Sequence, residues 1–232
     1  MPCRLLALLC LFLASPLAAQ PASPVSPPIP DMDNRMAACA GCHGEYGRSQ
    51  RETYYPSIAG KPAGYLYEQL LNFRAGRRHQ TQMQQMLTPL STDYMREMAA
   101  YYAGQTAARH PSDADALDPA AAARGEQLAL HGDAALDVPA CRDCHGAGLR
   151  GGGPYVPGLV GLRREYIEAQ LGGWQSGARS ALAPDCMATI AQRLSGEDMA
   201  AVAGWIAAQP VQPKAAGETE IGPLPMNCGA VR

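Results

Sequence analysis

The chain has 232 residues, a formal net charge of −2, 47% hydrophobic residues and eight cysteines. That length allows one or two domains. No basic run with interleaved aromatics occurs, which excludes the usual footprint of a nucleic-acid binder, and there is no G-x-S-x-G elbow, catalytic carboxylate pair or phosphate loop.

Residues 1–19 have the design of a secretory signal peptide: Arg4 near the start, an apolar run from Leu5 to Leu13, then small residues up to Ala18 and Ala19. The run is shorter than the ~20 residues a spanning helix needs. Export to the periplasm with cleavage after Ala19 is therefore expected, whereas an uncleaved signal would tie the chain to the membrane. Leu9 before Cys10 argues against a lipoprotein site. Residues 20–30 form a proline-rich, extended leader, and a first domain is expected over 31–106.

Cys39-Ala40-Gly41-Cys42-His43 is a C-x-x-C-H motif, the attachment signature of a c-type haem. Each thiol must add to a vinyl group on one porphyrin edge while the adjacent imidazole reaches the iron, and one helical turn presents all three on one side. A zinc half-site would want a second ligand pair of similar quality, and a thioredoxin-like pair needs no following histidine. Pro62 to Arg74 then places Tyr65, Leu66, Gln69, Leu70 and Phe73 at helical intervals, with Gly76 as a stop. Ser91, with Asp93 in the first turn, opens a further helix through Met98 to Tyr102. Proline, aspartate and serine between Gln105 and Pro119 mark an interdomain connection, the linker proper over 107–119.

The motif returns as Cys141-Arg142-Asp143-Cys144-His145, inside a second domain expected over 120–210. Aligned on these motifs, the halves match further at offsets of 101 to 104 residues. Pro56 to Gly60 meets Pro157 to Gly161, Tyr65, Gln69, Leu70 and Phe73 meet Tyr166, Gln170, Leu171 and Trp174, and Arg78 meets Arg179. A period this long signals tandem domains rather than a solenoid. Helices are expected from about Arg163 to Trp174, ended near Gly177, and from Ser195-Gly196-Glu197 through Val202 to Ile206. No strand of convincing alternation appears. Residues 211–232 read as an irregular C-terminal extension. Lys and Arg number nine against seven Asp and Glu over 31–110, and nine against fourteen over 111–232. Differently charged lobes could dock different redox partners, but ordinary solubility variation is the favoured reading of that difference.

His43 and His145 are the expected proximal iron ligands. For the sixth position methionine is the informative residue, because His/Met ligation raises the reduction potential. Met83 lies seven residues before Leu90-Ser91 and Met187 seven before Leu194-Ser195, so the repeat selects these two. Met86 competes with Met83, and His79 is a remoter bis-histidine alternative. Met95 and Met199 sit at helical spacing, as core filler does, while His110 and His131 have no counterparts and read as surface or linker residues. Removing the signal takes away Cys3 and Cys10. Once four thiols go to haem, Cys186 and Cys228 remain, and an oxidising compartment favours a disulfide between them.

In combination, C-x-x-C-H-G, P-x-x-x-G, Y-x-x-x-Q-L-x-x-[FW]-x-x-G and a methionine before L-S, all present twice, resemble the two-haem class I cytochromes of the cytochrome c4 family. The resemblance covers roughly Met32 to Gln209. It implies an all-α fold of two tandem cytochrome c class I domains, each enclosing one covalently attached haem c, with the haems facing across the domain boundary. It also implies that the carbonyls of Pro56 and Pro157 accept the Nδ1 protons of His43 and His145 and so fix the rings. The chain departs from the pattern in two places. Ala123-Arg124-Gly125-Glu126-Gln127-Leu128 marks a helix ahead of the second motif, whereas only Asp31 to Ala38 stands ahead of the first, and the pair Cys186 and Cys228 is not part of the family pattern.

The resemblance implies an electron carrier rather than an enzyme: single electrons would come from a donor such as a cytochrome bc complex and pass to an acceptor such as a terminal oxidase, with no substrate pocket. The alternative is the electron-transfer subunit of a periplasmic dehydrogenase, such as a sulfide-oxidising flavoprotein. A two-haem peroxidase is the third reading, and it needs an open iron that methionine in both lobes would deny.

Overall fold

The computed structural model describes residues 31–49, 55–106, 117–211 and 222–231. The signal peptide, the leader, most of the linker with His110, and the first part of the tail lie outside these. In the first lobe, Asp31 caps a short helix α1 (Met32–Arg35) by accepting the Asn34 N–H. Met36, 3% exposed, separates it from α2 (Ala37–His43), which carries the first haem motif. Helices α3 (Ala63–Arg74), α4 (Thr81–Leu87) and α5 (Thr92–Ala103) follow, the last opened by Ser91 Oγ accepting from Tyr94 N–H. Their apolar faces meet in a core that includes Met36, Leu66, Phe73, Leu87, Met95 and Tyr102.

The second lobe begins with α6 (Pro119–Leu130). Its start falls inside the stretch expected to be linker, because Asp118 caps the Ala120 and Ala121 N–H groups and a proline at the first helical position has no N–H to leave unpaired. The second motif forms α7 (Cys141–His145), followed by α8 (Arg164–Ser176), α9 (Cys186–Arg193) and α10 (Gly196–Ala207). Ser195 and Asp198 make a full capping box at the start of α10. The expectation of no strand is corrected at one place: β1 (Gly151–Gly152) pairs antiparallel with β2 (Val156–Pro157). Two residues are too few to display any alternation. The core around Leu128, Val138, Leu171, Leu194, Val202 and Ile206 is separate from that of the first lobe.

The repeated residues converge where the lobes meet. Arg78 and Arg179 face each other in an antiparallel bridge, flanked by His79 N–H to Ala178 O (2.9 Å) and Ser180 N–H to Arg77 O (2.6 Å). Arg179, 7% exposed, donates to Gln170 Oε1 (2.7 Å) and, across the junction, to Gln69 Oε1 (3.0 Å). Arg78 reaches the other way, to Tyr166 Oη (2.9 Å) and Gln170 Oε1 (2.6 Å). Both lobes thus supply the same residue types to one buried polar seam.

Within the second lobe, α6 and α10 cross at Gly125, where an added Cβ would collide with Ala201 O and lie 2.6 Å from Trp205 Cβ. The collision is with backbone, so no rotamer relieves it. Gly125→Ala should therefore lower stability by about 1–3 kcal/mol, the usual range for overpacking. Thermal unfolding followed by circular dichroism checks this, with an unchanged midpoint as the contrary result.

Candidate functional site

Helices α2 and α7 each present two thiols and an imidazole within a turn and a half. Gly44 (φ 75°) and Gly146 (φ 84°) follow the histidines and turn the chain sharply in the left-handed region that glycine tolerates. At Gly44 a Cβ would also strike the Arg48 carbonyl. The turned chain brings Pro56 O to 2.9 Å from His43 Nδ1 and Pro157 O to 2.8 Å from His145 Nδ1. A carbonyl oxygen can only accept, so Nδ1 donates and the Nε2 lone pair is left for a metal. Burial holds both imidazoles below the ordinary histidine value, and the proline hydrogen bonds only partly oppose it. Neutral rings with a free Nε2 are what iron ligation requires.

The second-lobe pocket is a mainly apolar cavity that brings together Cys141, Cys144, His145, Trp174 and Met187. Burial pushes the Cys141 thiol up to about 12 and raises Cys144 as well. Met187 stands in the first turn of α9, which Asp185 caps by accepting the Ala188 N–H at 3.1 Å. Trp174 Nε1 is buried and finds no acceptor among the described residues. In the first lobe, burial raises the Cys39 thiol, which hydrogen-bonds Tyr102. Met83, on α4, is half-buried against the core, whereas Met86 is 43% exposed. Met95 (0% exposed) and Met199 (8%) are core residues. His79 and His131 are exposed.

Cys186 and Cys228 are joined by a disulfide, with Cα atoms 5.2 Å apart. The tail carrying Cys228 lies close on Ala183 and Pro184, with Gly229 N–H bonding Pro184 O at 2.9 Å, and both cysteines line the second cavity. Two features of that cavity escaped the sequence reading. One is the unfilled donor of Trp174. The other is Lys61, a first-lobe residue in the second-lobe wall, whose signal was a lysine aligned with Leu162.

No family model matches the chain. It is 44% identical over 161 residues to a thiosulfate dehydrogenase electron acceptor of Thiomonas intermedia, covering 68% of this chain and 72% of that protein. It is 33% identical over 156 residues to a cytochrome c4 of Pseudomonas aeruginosa, covering 66% and 74%. The chain belongs to the cytochrome c4 family. Among solved structures, the reduced cytochrome c4 from Pseudomonas stutzeri matches with a TM-score of 0.65 at 30% identity, over 76% of this chain and 95% of that one. A thiosulfate dehydrogenase from Marichromatium purpuratum matches with a TM-score of 0.66 at 32% identity, over 80% of this chain and 40% of that one. As a cytochrome c4 relative, the protein is an electron-transfer cytochrome whose cofactors are two haem c groups. The second pocket suits such a group: an apolar cavity for the ring, paired thiols and an imidazole on one wall, and the unpaired Trp174 donor for a carboxylate.

Unfolded, unreduced holoprotein should show no titratable thiol, since four sulfurs would be thioethers and two a disulfide; two thiols per chain would contradict this. The disulfide closes a loop of 42 residues. Its reduction should cost about 3–4 kcal/mol by chain entropy and loosen the second site while sparing the first.

Proposed function

We propose that this cytochrome c4 relative accepts single electrons from a periplasmic dehydrogenase of the thiosulfate-oxidising kind and passes them to a respiratory acceptor such as a terminal oxidase. The observation that carries the donor is a double similarity. A relative at 44% identity is a thiosulfate dehydrogenase electron acceptor, and a thiosulfate dehydrogenase chain holds, over 40% of its own length, a body shaped like this one. This supports a dehydrogenase ahead of a cytochrome bc complex as donor. Among the described residues no helix is long and apolar enough to cross a membrane.

In this reading Cys39 and Cys42 would hold one haem and Cys141 and Cys144 the other, with His43 and Met83 as the iron ligands of the first and His145 and Met187 as those of the second. Bound haem supplies a one-electron ferric/ferrous couple. The chain's own work is to orient and exclude. The Pro56 and Pro157 carbonyls lock the imidazole planes, so that ligation needs no rearrangement when the charge changes. The apolar walls keep water from the ring, and a methionine thioether favours the reduced state. Met83 is preferred over Met86 because it already packs into the core, whereas Met86 faces solvent.

Anaerobic mixing of oxidised holoprotein with a thiosulfate dehydrogenase and thiosulfate should reduce both haems within the enzyme's turnover time. Failure to do so, with dithionite reducing both normally, would dismiss this donor. For the ligands, Met187→Ala should lower one haem's potential and admit carbon monoxide, and Met83→Ala should do the same for the other haem. Met86→Ala should do neither. A carbon monoxide difference spectrum and a redox titration of each variant decide the assignment.

A further inference from the structure

Lys61 breaks the internal repeat: where the first half reads Ala59-Gly60-Lys61, the second reads Val160-Gly161-Leu162. The loop bearing Lys61 does not stay with its own lobe. Tyr65 N–H bonds Pro154 O at 3.0 Å, and Gly64 sits so close to Tyr155 that an added Cβ would lie 2.7 Å from its ring. This docking carries Lys61 into the wall of the second-lobe pocket.

There, among the described residues, Lys61 Nζ has one acceptor, Gly158 O at 3.4 Å. That is longer than an ordinary N–H···O bond, and an ammonium carries three donors. Burial pushes Lys61 below the usual lysine value, which reflects the cost of desolvating an ammonium. Besides Lys61, the charged side chains of the cavity are Arg179 and Asp185. Arg179 bonds the Gln170 and Gln69 carbonyls and rests 3.7 Å over the Trp174 ring. Asp185 accepts from Ala181 N–H (2.6 Å) and Ala188 N–H (3.1 Å). Among the described residues Lys61 is thus the cation of this pocket that lacks a partner at ordinary hydrogen-bond length.

We propose that Lys61 is the counter-charge for a carboxylate of the haem held in the second-lobe pocket, and that this first-lobe cation raises the second haem's reduction potential. Reduction adds one electron to the site, and a positive charge in a poorly polarisable surrounding stabilises the state that has gained it. Leu162, at the equivalent place in the repeat, carries no charge, so the effect falls on one haem of the two. The proposal rests on the placement of a haem in this pocket.

The test is a redox titration of the two-haem holoprotein followed by NMR, with the second haem assigned by its proximity to the Trp174 ring, in the parent and in Lys61→Met and Lys61→Arg. In Lys61→Met the oxidised-to-reduced ratio of the second haem at fixed ambient potential should rise roughly tenfold, equivalent to about 59 mV for a one-electron couple. The first haem should not move, and Lys61→Arg should keep the parental value. If Lys61→Met yields no holoprotein, Lys61→Gln is read the same way. Unchanged potentials with both haems attached would overturn the role of Lys61 alone, and so would an equal fall at both haems, which signals lost lobe packing. A parental haem count of one per chain would instead remove the haem placement beneath it.

Discussion

One hydrogen bond in each lobe, from an imidazole Nδ1 to a proline carbonyl, sets the terms for the rest. The acceptors lie thirteen and twelve residues after the histidines, so each connecting loop has to return to the motif helix it has just left. The glycine after each histidine makes the reversal, and proline, whose φ is fixed by its ring, delivers a carbonyl in a set direction. Once the ring is held, the next helix, α3 or α8, starts from a defined point and lays its apolar face on the core behind the site. A substitution that freed either carbonyl would reach the tautomer of the imidazole and the entry of the following helix together.

The junction between lobes uses a different physics. Each lobe closes its own apolar core, and between them lies a seam of arginine, glutamine and tyrosine held by directional bonds. Guanidinium groups suit this place because their donors form a planar fork and their faces stack on aromatic rings; Arg78 lies over Phe73 at 4.5 Å and Arg179 over Trp174 at 3.7 Å. Buried polar groups of this kind tolerate few alternative arrangements. The seam therefore fixes the register of one lobe on the other more sharply than a flat apolar contact would.

Much of this could be read from the residues. The haem motifs, the capping serines Ser91 and Ser195 and the helix-ending Gly177 carry local chemistry that acts within a few residues. Duplication adds the correspondence of Tyr65, Gln69 and Arg78 with Tyr166, Gln170 and Arg179. What duplication could not tell is that these pairs meet one another rather than serving each lobe separately. The helix start at Pro119 was hidden because proline and aspartate signal both a linker and a helix beginning, and only position separates the two. Lys61 aligns with Leu162, a mismatch that the sequence reading passed over, and its destination depends on the docking of Gly64 and Tyr65 on another part of the chain. The open Trp174 donor is a property of packing and has no sequence signature.

The two lobes also differ in how their motif helices are guarded. In the second, the twelve-residue α6 lies seated on α10 through Gly125. In the first, the four-residue α1 is tied to α5 by Arg35 with Glu97 (3.0 Å), by Arg35 over the Tyr94 ring, and by Tyr101 Oη donating to Asp33 (2.6 Å). These are surface contacts, screened by water and salt, and releasing them exposes little beyond Met36. Local opening that starts at such an end needs far less free energy than global unfolding. Amide hydrogens of α2 will exchange before those of α7, proteases will find the first lobe before the second, and the molecule will wear from its N-terminal half.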